Sequence, residues 1–405
     1  MWSTASRRTT NSLFSSFFFH NAQWLSQRTS ITRNPGSLKL VVHPEVQAVP
    51  RSAFKEVPAL TTGRLLKVYS QLSKSRLSIL VILTSMSGVA LSPLPTSLPT
   101  LLATAIGTAL CSASANTLNQ LQEVPFDAQM ARTRNRPFVA RIISPLHGAG
   151  FAVASGVVGP VLLWTMTNPT TAILGVSNIV LYAGVYTWMK RKSYYNTWVG
   201  AVVGAIPPVM GWTACGGHIV PSVSHPIQLF PPPFLASFPT APLDLSLMDN
   251  PLAPFALFML LYSWQFPHFN PLAYLVRGSY AQAGYSMLPV LDPRKNALVS
   301  LRHALLLVPI CTILTPLSGL TTWLFAATSL LPNVVIVRAA WTFWKKGGEK
   351  EARILFRHML WYLPVVLGLM MIHKQGVDWL QWTGMGDSDE NTEKTEPDRT
   401  SSSIR

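Results

Sequence analysis

Charged side chains are scarce in this sequence. Asp, Glu, Lys and Arg make up 12% of the 405 residues, about half the share of an ordinary soluble domain, whereas hydrophobic residues make up 49%. This balance excludes a typical soluble domain and indicates a polytopic membrane protein. The net charge of +16 does not indicate a nucleic-acid partner, because the basic residues lie in short loops between apolar stretches, where membrane topology explains them.

Cysteine is also nearly absent, with Cys111, Cys215 and Cys311 widely separated within or beside apolar stretches. Their spacing excludes a disulfide framework, a cysteine-based zinc site and a redox motif, so we expect them to be packing residues. The sequence also lacks an internal repeat, a glycine-rich phosphate loop and a nucleophile elbow, the usual signatures of several soluble enzyme classes.

Acidic residues are missing from residues 1–44, which carry Arg and Lys among many Ser and Thr. This composition predicts a mitochondrial presequence. The Phe14–Phe19 cluster resembles the core of a secretory signal, but Ser15 and Ser16 interrupt it and no small-residue cleavage site follows. Around the predicted membrane domain (76–373) we expect a polar lead-in (45–75), a proline-rich loop insert (218–250) and a disordered polar tail (374–405).

Apolar stretches recur along the membrane domain at lengths close to those needed to span the hydrocarbon core of a bilayer. They lie near 77–94, 98–121, 144–166, 170–189, 197–214, 251–267, 298–316, 320–343 and 354–373. The loops after the second, fourth, sixth and eighth stretches carry Lys and Arg, and those after the first, third, fifth and seventh carry none. Lys67, Lys74 and Arg76 precede the first stretch and fit the same topology. This alternation predicts nine spans, with the N-terminus on the positive, matrix side.

The end of the second stretch carries Asn119, Glu123 and Asp127 at four-residue spacing, so that they share one helical face. Arg132, Arg134 and Arg136 follow closely. Carboxylates with Arg close behind them suit a magnesium-bound diphosphate, because Mg²⁺ prefers oxygen ligands and Arg matches phosphate oxygens. The alternative is an interfacial helix cap with topology-fixing charges. Pro125 should bend or end the helix before Asp127.

Three further polar clusters follow in the same set of loops. The first, Y-T-W-M-K-R-K-S-Y-Y-N-T, contains Lys190 and Arg191; W-Q-F-P-H-F-N contains His268; and R-G-S-Y-A-Q-A-G-Y-S-M-L contains Arg277 and Tyr280. Individually, the basic residues fit simple topology, and His268 fits an ordinary interfacial histidine. Because all of them fall on one membrane face with Asn119–Asp127, we expect a substrate pocket at that mouth of the bundle.

The motifs N-x-x-x-E-x-x-x-D and R-T-x-x-R-P resemble the UbiA family of intramembrane prenyltransferases, over about residues 74–373. Y-T-x-x-K-R, W-Q-F-P-H-F-N and A-G-Y-x-M-L look like its heme-modifying branch. The resemblance implies an all-α fold of nine transmembrane helices around a central cavity that opens to the matrix side. It also implies transfer of a farnesyl group from farnesyl diphosphate to protoheme IX in the mitochondrial inner membrane, giving heme O, a step toward heme A for cytochrome c oxidase.

The same resemblance implies roles for individual residues. Mg²⁺ would be held by Asn119, Glu123 and Asp127, and His268 and Tyr280 would position heme or move protons. The diphosphate would be held by Arg132, Arg136, Lys190, Arg191 and Arg277. It leaves open a homo-oligomer and a contact with heme A synthase.

The sequence departs from the family pattern at two places. Glu123 stands where many members carry Asp, and the stretch directly before Tyr280, Arg277–Gly278–Ser279, has no carboxylate where relatives tend to carry an acidic residue. Either one metal is held mainly by the Asn-Glu-Asp face, or Lys190, Arg191 and Arg277 carry more of the diphosphate charge. Two other functions stay open: prenylation of an aromatic quinone precursor, and transport of an anionic lipid or porphyrin.

Overall fold

The computed structural model of this protein describes residues 61–235 and 249–376. The expected presequence, most of the lead-in, part of the proline-rich insert and most of the tail lie outside these described residues. The chain divides into two compact units, one ending at Lys67 and the other beginning at Val68. Only residues 61–67 of the first unit are described, and they form the start of one helix.

The described part of the chain is helical. Residues 61–235 and 249–376 contain no strand, apart from one isolated antiparallel bridge between Thr321 and Lys374. A 3₁₀ turn covers Pro233–Leu235. The helices are α1 (Thr62–Leu72), α2 (Ser75–Leu91), α3 (Leu98–Asp127), α4 (Pro145–Met166), α5 (Pro169–Met189), α6 (Asn196–Ala214), α7 (Leu252–Leu275), α8 (Arg277–Gln282), α9 (Leu288–Leu291), α10 (Pro293–Leu317), α11 (Leu324–Lys346) and α12 (Gly348–Ile372).

Each apolar stretch predicted as a span overlaps a helix. Within the described residues, α3, α4, α5, α10, α11 and α12 are long and apolar enough to cross a membrane, and α1 with α2, bent by 58° at their break, adds a seventh if the pair is one span. Helices α6 and α7 each contain two internal prolines. The count of nine spans and the orientation remain predictions.

Large apolar side chains cover much of the outer surface of the bundle. Leu331 is 74% exposed, Val334 60% and Val161 55%, each in the body of a long helix. A soluble protein rarely leaves so much contiguous apolar surface in water, whereas lipid chains would cover it. The exposed side chains therefore agree with a membrane location.

The largest core lies among α7, α10, α11 and α12. Phe343, Leu355 and Met359 are fully buried there, and the buried Tyr362 hydroxyl donates to Asn333 Oδ1 at 2.7 Å. The predicted motif residue Asn270 joins α7 to α10, because its side chain and that of Asn296 each donate to the other's backbone carbonyl. These contacts fix one half of the bundle.

Two glycines bring α2 and α6 into close backbone contact. A Cβ built at Gly88 would collide with the Pro208 carbonyl oxygen, and one at Gly211 would collide with that of Ser85. Small residues allow this kind of approach between membrane helices. The contact holds the C-terminal half of α2 against the C-terminal half of α6.

Candidate active site

The C-terminal end of α3 carries the predicted acidic face. Asn119 is fully buried, and Glu123 and Asp127 are 5% and 1% exposed. The expectation that the helix could end at Pro125 needs correction, because the helix continues to Asp127. The backbone ladder resumes directly after the proline, where Ala128 N donates to Val124 O. Glu123 and Asp127 therefore stay on one helical face.

Each residue of this face contacts a basic side chain from another segment. Lys74 Nζ donates to Asn119 Oδ1 at 2.9 Å, and Lys190 Nζ donates to Glu123 Oε1 at 2.6 Å. Asp127 Oδ2 lies 2.5 Å from Arg136 Nη1, which is also 3.8 Å from Glu123 Oε2. Two buried carboxylates near one another are stable only with such partners. We call these six side chains the charged cluster.

One oxygen of the charged cluster has no partner among the described residues. Asp127 Oδ1 is buried and accepts no hydrogen bond. An uncompensated carboxylate oxygen is costly away from water, so it marks a place where a ligand cation or donor fits. The carboxylate and amide oxygens on this face are the donor type that Mg²⁺ prefers, and the residues present therefore fit this ion.

Lys74 is a member of the cluster that sequence reasoning missed, because its charge was assigned to topology. It lies at the break between α1 and α2 with φ 48° and ψ 54°, a left-handed conformation unusual for a residue with a side chain. This geometry directs Nζ to Asn119 and, at 3.2 Å, to the Tyr182 hydroxyl. Strained backbone of this kind often occurs at functional sites.

A π-helical segment in α5, Val180–Tyr186, presents two tyrosines between the charged cluster and the interior. Tyr182 and Tyr186 stack at 5.2 Å between ring centroids, and Lys190 Nζ lies 4.6 Å from the Tyr186 ring centroid. Short π segments are frequent at functional sites because they change which side chains share a face. The backbone N–H of Thr187 donates to Tyr182 O, which is the i→i−5 bond of a π segment.

Tyr285, in the loop after α8, completes this side of the cluster. Its ring is 5% exposed and lies 5.9 Å from Lys190 Nζ, and its hydroxyl has no partner among the described residues. Burial raises the pKa of the Tyr285 phenol, with the nearby Glu123 acting in the same direction. The hydroxyl therefore stays protonated and can donate a hydrogen bond to an anion.

A cavity of about 660 Å³ lies on the other side of the two tyrosines. Its lining is mostly apolar and aromatic, with Leu80, Leu261 and Phe266 among the contributing side chains, while Tyr182 and Tyr186 form part of its wall. Both tyrosines thus contact the charged cluster and line the cavity. A long apolar group attached to a charged head would have a suitable environment at each end.

His268 lines the same cavity. Its ring stacks on Trp264 at 4.5 Å and lies 5.2 Å from the Phe356 ring, and its Nδ1 is buried without a partner in the described part of the chain. Gln265 also lines the cavity, but its amide is held by the carbonyls of Ala201 and Leu261. His268 is therefore the available imidazole in this wall.

The remaining predicted residues lie at different distances from the cluster. Arg132 is exposed, and Arg191 stacks on the Phe126 ring at 4.3 Å. Tyr280 packs edge-on against Tyr285 at 6.0 Å. Arg277 points elsewhere: it stacks on Tyr274 and pairs with Glu349 at 3.3 Å. The three cysteines are free, as expected.

Known proteins resemble this chain in both sequence and fold. "Protoheme IX farnesyltransferase, mitochondrial" from Yarrowia lipolytica is 42% identical over 81% of this chain and 65% of its own length. The Homo sapiens protein of the same name is 40% identical over 76% of this chain and 62% of its own length. The chain thus matches slightly less than two thirds of the length of either relative.

Two solved structures share the fold at low sequence identity. A digeranylgeranylglyceryl phosphate synthase gives a TM-score of 0.60 at 14% identity, covering 76% of this chain and 98% of that one. A UbiA homologue from Aeropyrum pernix K1 gives 0.55 at 16% identity, covering 73% and 97%. The model of the UbiA prenyltransferase family matches residues 80–363, which include the charged cluster except Lys74. The chain belongs to the UbiA prenyltransferase family.

Proposed function

We propose that this protein is an enzyme that transfers the farnesyl group of farnesyl diphosphate to protoheme IX and so forms heme O, on the way to the heme A of cytochrome c oxidase. The observation that carries the proposal is the junction at Tyr182 and Tyr186, which joins a buried charged cluster to an apolar cavity of about 660 Å³. The names of the Yarrowia lipolytica and Homo sapiens relatives support the choice of substrates.

The diphosphate would bind at the charged cluster. Asn119, Glu123 and Asp127 would hold Mg²⁺, with the unpartnered Asp127 Oδ1 as the available oxygen. When bound, this ion would neutralise charge on the diphosphate as the allylic bond breaks. Lys190 and Arg136 now occupy the carboxylate oxygens, so we propose that they turn toward the diphosphate when the metal takes their place.

Further donors lie in and beside the cluster. Lys74 belongs to it, and the ring of Tyr285 lies 5.9 Å from Lys190 Nζ with its hydroxyl unpartnered among the described residues, so both would donate to diphosphate oxygens. Arg132 and Arg191 follow on the same loops and would guide the substrate in. The predicted diphosphate role of Arg277 has no supporting contact, because this residue pairs with Glu349.

The farnesyl chain would lie in the cavity, where its walls exclude water from the allylic cation. The carbon–oxygen bond to diphosphate breaks, and the cation forms a new carbon–carbon bond with a heme vinyl group. Water then adds to the resulting heme cation and loses a proton, which completes the hydroxyalkyl group of heme O. Tyr182 and Tyr186 would stabilise the cation through their ring faces.

His268 is our candidate for contact with the heme. Its stacked ring and unpartnered Nδ1 in the cavity wall would suit either an axial contact to heme iron or a hydrogen bond to a heme substituent. Tyr280 would support Tyr285 by edge-on packing. Both roles remain proposals.

We further propose that the protein resides in the mitochondrial inner membrane with its N-terminus in the matrix, and that the cavity opens to the matrix side. The loop-charge alternation and the mitochondrial relatives support this location. A homo-oligomer, or a contact with heme A synthase, would suit a hydrophobic product passed to the next enzyme.

Expression in a bacterium that lacks its own heme O synthase would test the proposal. We expect extracted pigments to contain heme O when the wild-type chain is expressed, and none when it carries Asp127→Asn. Accumulation of a prenylated aromatic quinone precursor instead would change the acceptor, and uptake of an anionic lipid or porphyrin without prenylation would favour a transporter.

A further inference from the structure

A second polar cluster lies at the other end of the bundle, where α6 ends and α7 begins. His218, His225 and Asp249 bring their side chains together there, with one donor atom from each lying within 4.8 Å of the others. The cluster is remote from Glu123 and Asp127, because α6 starts near the charged cluster and runs away from it. The prenyl-transfer proposal does not use these residues.

Asp249 is the centre of this cluster and is held in a fixed orientation. Its side chain is only 7% exposed, and its Oδ1 accepts the backbone N–H of His218 at 3.0 Å. Oδ2 lies 2.6 Å from His218 Nδ1 and 3.8 Å from His225 Nε2. One buried carboxylate oxygen therefore faces two imidazoles.

The orientation of His225 is also fixed by its neighbours. Ser224 Oγ hydrogen-bonds its Nδ1 at 3.0 Å, and the His225 backbone N–H donates to Ser222 Oγ. The Nδ1 contact leaves Nε2 directed toward Asp249. The outer nitrogen of a metal-bound histidine is usually hydrogen-bonded in this manner.

The segment that carries the cluster is packed against the bundle. Phe230 N donates to Leu317 O, and Trp323 Nε1 donates to Phe230 O. The fully buried Asn250, next to Asp249, donates to the carbonyls of Gln228 and Ser318. Both segments that carry the three candidate ligands are thus held by hydrogen bonds to the bundle.

We propose that His218, His225 and Asp249 form a binding site for a borderline divalent transition metal, with Zn²⁺ as the expected ion. Two imidazole nitrogens and one carboxylate oxygen are a ligand set that such ions favour and that Mg²⁺ does not. A tetrahedral zinc ion keeps its ligand atoms about 3.4 Å apart, so small side-chain rotations bring all three into place. Water would complete the coordination.

The bound metal joins two segments that lie 31 positions apart in the sequence. Closing a loop of that length restricts the unfolded chain more than the folded one, so metal binding stabilises this end of the bundle. The two metal sites then differ in chemistry: oxygen ligands for Mg²⁺ at the charged cluster, and nitrogen with oxygen ligands for Zn²⁺ here.

Cobalt binding to the full chain would test this site. Protein in detergent, carrying an affinity tag free of histidine and stripped of metal, is titrated with Co²⁺ while its visible absorption is recorded. We expect one saturable equivalent with the intense d–d bands of a low-coordinate site, lost when Zn²⁺ is added and unchanged by Mg²⁺. Thermal unfolding of the same samples should shift upward with Zn²⁺.

Variants identify the ligands. His218→Ala and the milder His225→Gln, whose amide can still bond Ser224, should each lose the cobalt spectrum and the thermal shift. His147→Ala is the matched control, because that exposed histidine contacts Tyr69 and lies outside the cluster. Absence of saturable binding to the wild type would leave only a hydrogen-bonded clamp and overturn the proposal. Binding that survives in both cluster variants would overturn it as well.

Discussion

The two ends of the bundle satisfy their polar side chains in different ways. At the charged cluster, Lys190 contacts Glu123 and Arg136 contacts Asp127, side chain to side chain. At the other end, buried or cationic side chains mostly donate to backbone carbonyls: Asn250 to Ser318, and Lys374 to Ala90 and Ser92. The side chains of the charged cluster can therefore exchange partners, whereas the backbone carbonyls that accept hydrogen bonds at the other end are fixed.

This difference separates a binding site from a structural closure. A backbone carbonyl is fixed by its helix or loop, so a side chain bound to it stabilises the fold and has no other task. A Lys or Arg bound to a carboxylate can turn to a phosphate when a metal ion replaces it, because both charges keep a partner. His218 and Asp249 depart from this pattern at the structural end, and for this reason they suggest a site of their own.

The largest expected effect is at Asp127. Asp127→Asn removes the charge from a buried carboxylate whose Oδ1 has no hydrogen-bond partner among the described residues. We expect kcat/KM for heme O formation to fall by at least about 100-fold. Asp292→Asn is the matched control, because the exposed Asp292 caps α10 and Asn caps a helix equally well. Equal activity of the two variants would favour the interfacial-cap interpretation of the Asn-Glu-Asp face.

The next effect concerns Lys74, which sequence reasoning assigned to topology. Lys74→Met should raise KM for farnesyl diphosphate by about 10-fold or more, because a cation that contacts Asn119 and Tyr182 is lost. Lys67→Met removes the same charge from an exposed side chain seven positions earlier and should leave KM unchanged. Steady-state kinetics at saturating heme would compare them, and equal KM values would return Lys74 to a purely topological role.

A smaller effect is expected in the apolar cavity. A Cβ at Gly204 would collide with the Gln265 side chain in the cavity wall, so Gly204→Leu should reduce the space there and lower kcat/KM for farnesyl diphosphate by about 10-fold. The shorter geranyl diphosphate should be affected less. Gly150→Leu, at an exposed helical site with open space around it, serves as the control. Equal losses with both substrates would mean that the chain lies elsewhere.

The smallest effect on activity is expected from tags that report the two faces. One tag is inserted near Pro232, in the segment between α6 and α7, and the other near Lys346, at the end of α11. Neither tag should abolish heme O formation. Protease protection in mitochondria should find the first in the intermembrane space and the second in the matrix. If both tags are accessible from the same face, the nine-span topology is wrong.

Much of the architecture could be predicted because the length of an apolar stretch indicates whether it can form a membrane-spanning helix. Four-residue spacing correctly predicted one face for Asn119, Glu123 and Asp127, and the charge pattern placed Lys190 near them. Pro125 was overestimated as a helix terminator, because α3 continues for two residues beyond it. The extent of a helix and the residues that share its face depend on neighbours in the sequence, so local rules are sufficient to predict them.

The pairings and the backbone irregularities could not be predicted in the same way. Lys74 reaches Asn119 only through a left-handed residue at a helix break, and the π segment before Thr187 has no distinctive local sequence. Arg277 carries the charge needed to bind a diphosphate, but its side chain forms an ion pair with Glu349. His218 and Asp249 match no metal-ligand motif, because the fold alone brings together positions so far apart.

Diphosphate release by the purified protein tests the central claim most directly. The charged cluster and the cavity together predict that farnesyl diphosphate releases diphosphate only when both Mg²⁺ and protoheme IX are present, and that removal of Mg²⁺ with a chelator stops it. Release that continues without heme would indicate a diphosphatase, and release that continues without Mg²⁺ would contradict a metal on the Asn-Glu-Asp face.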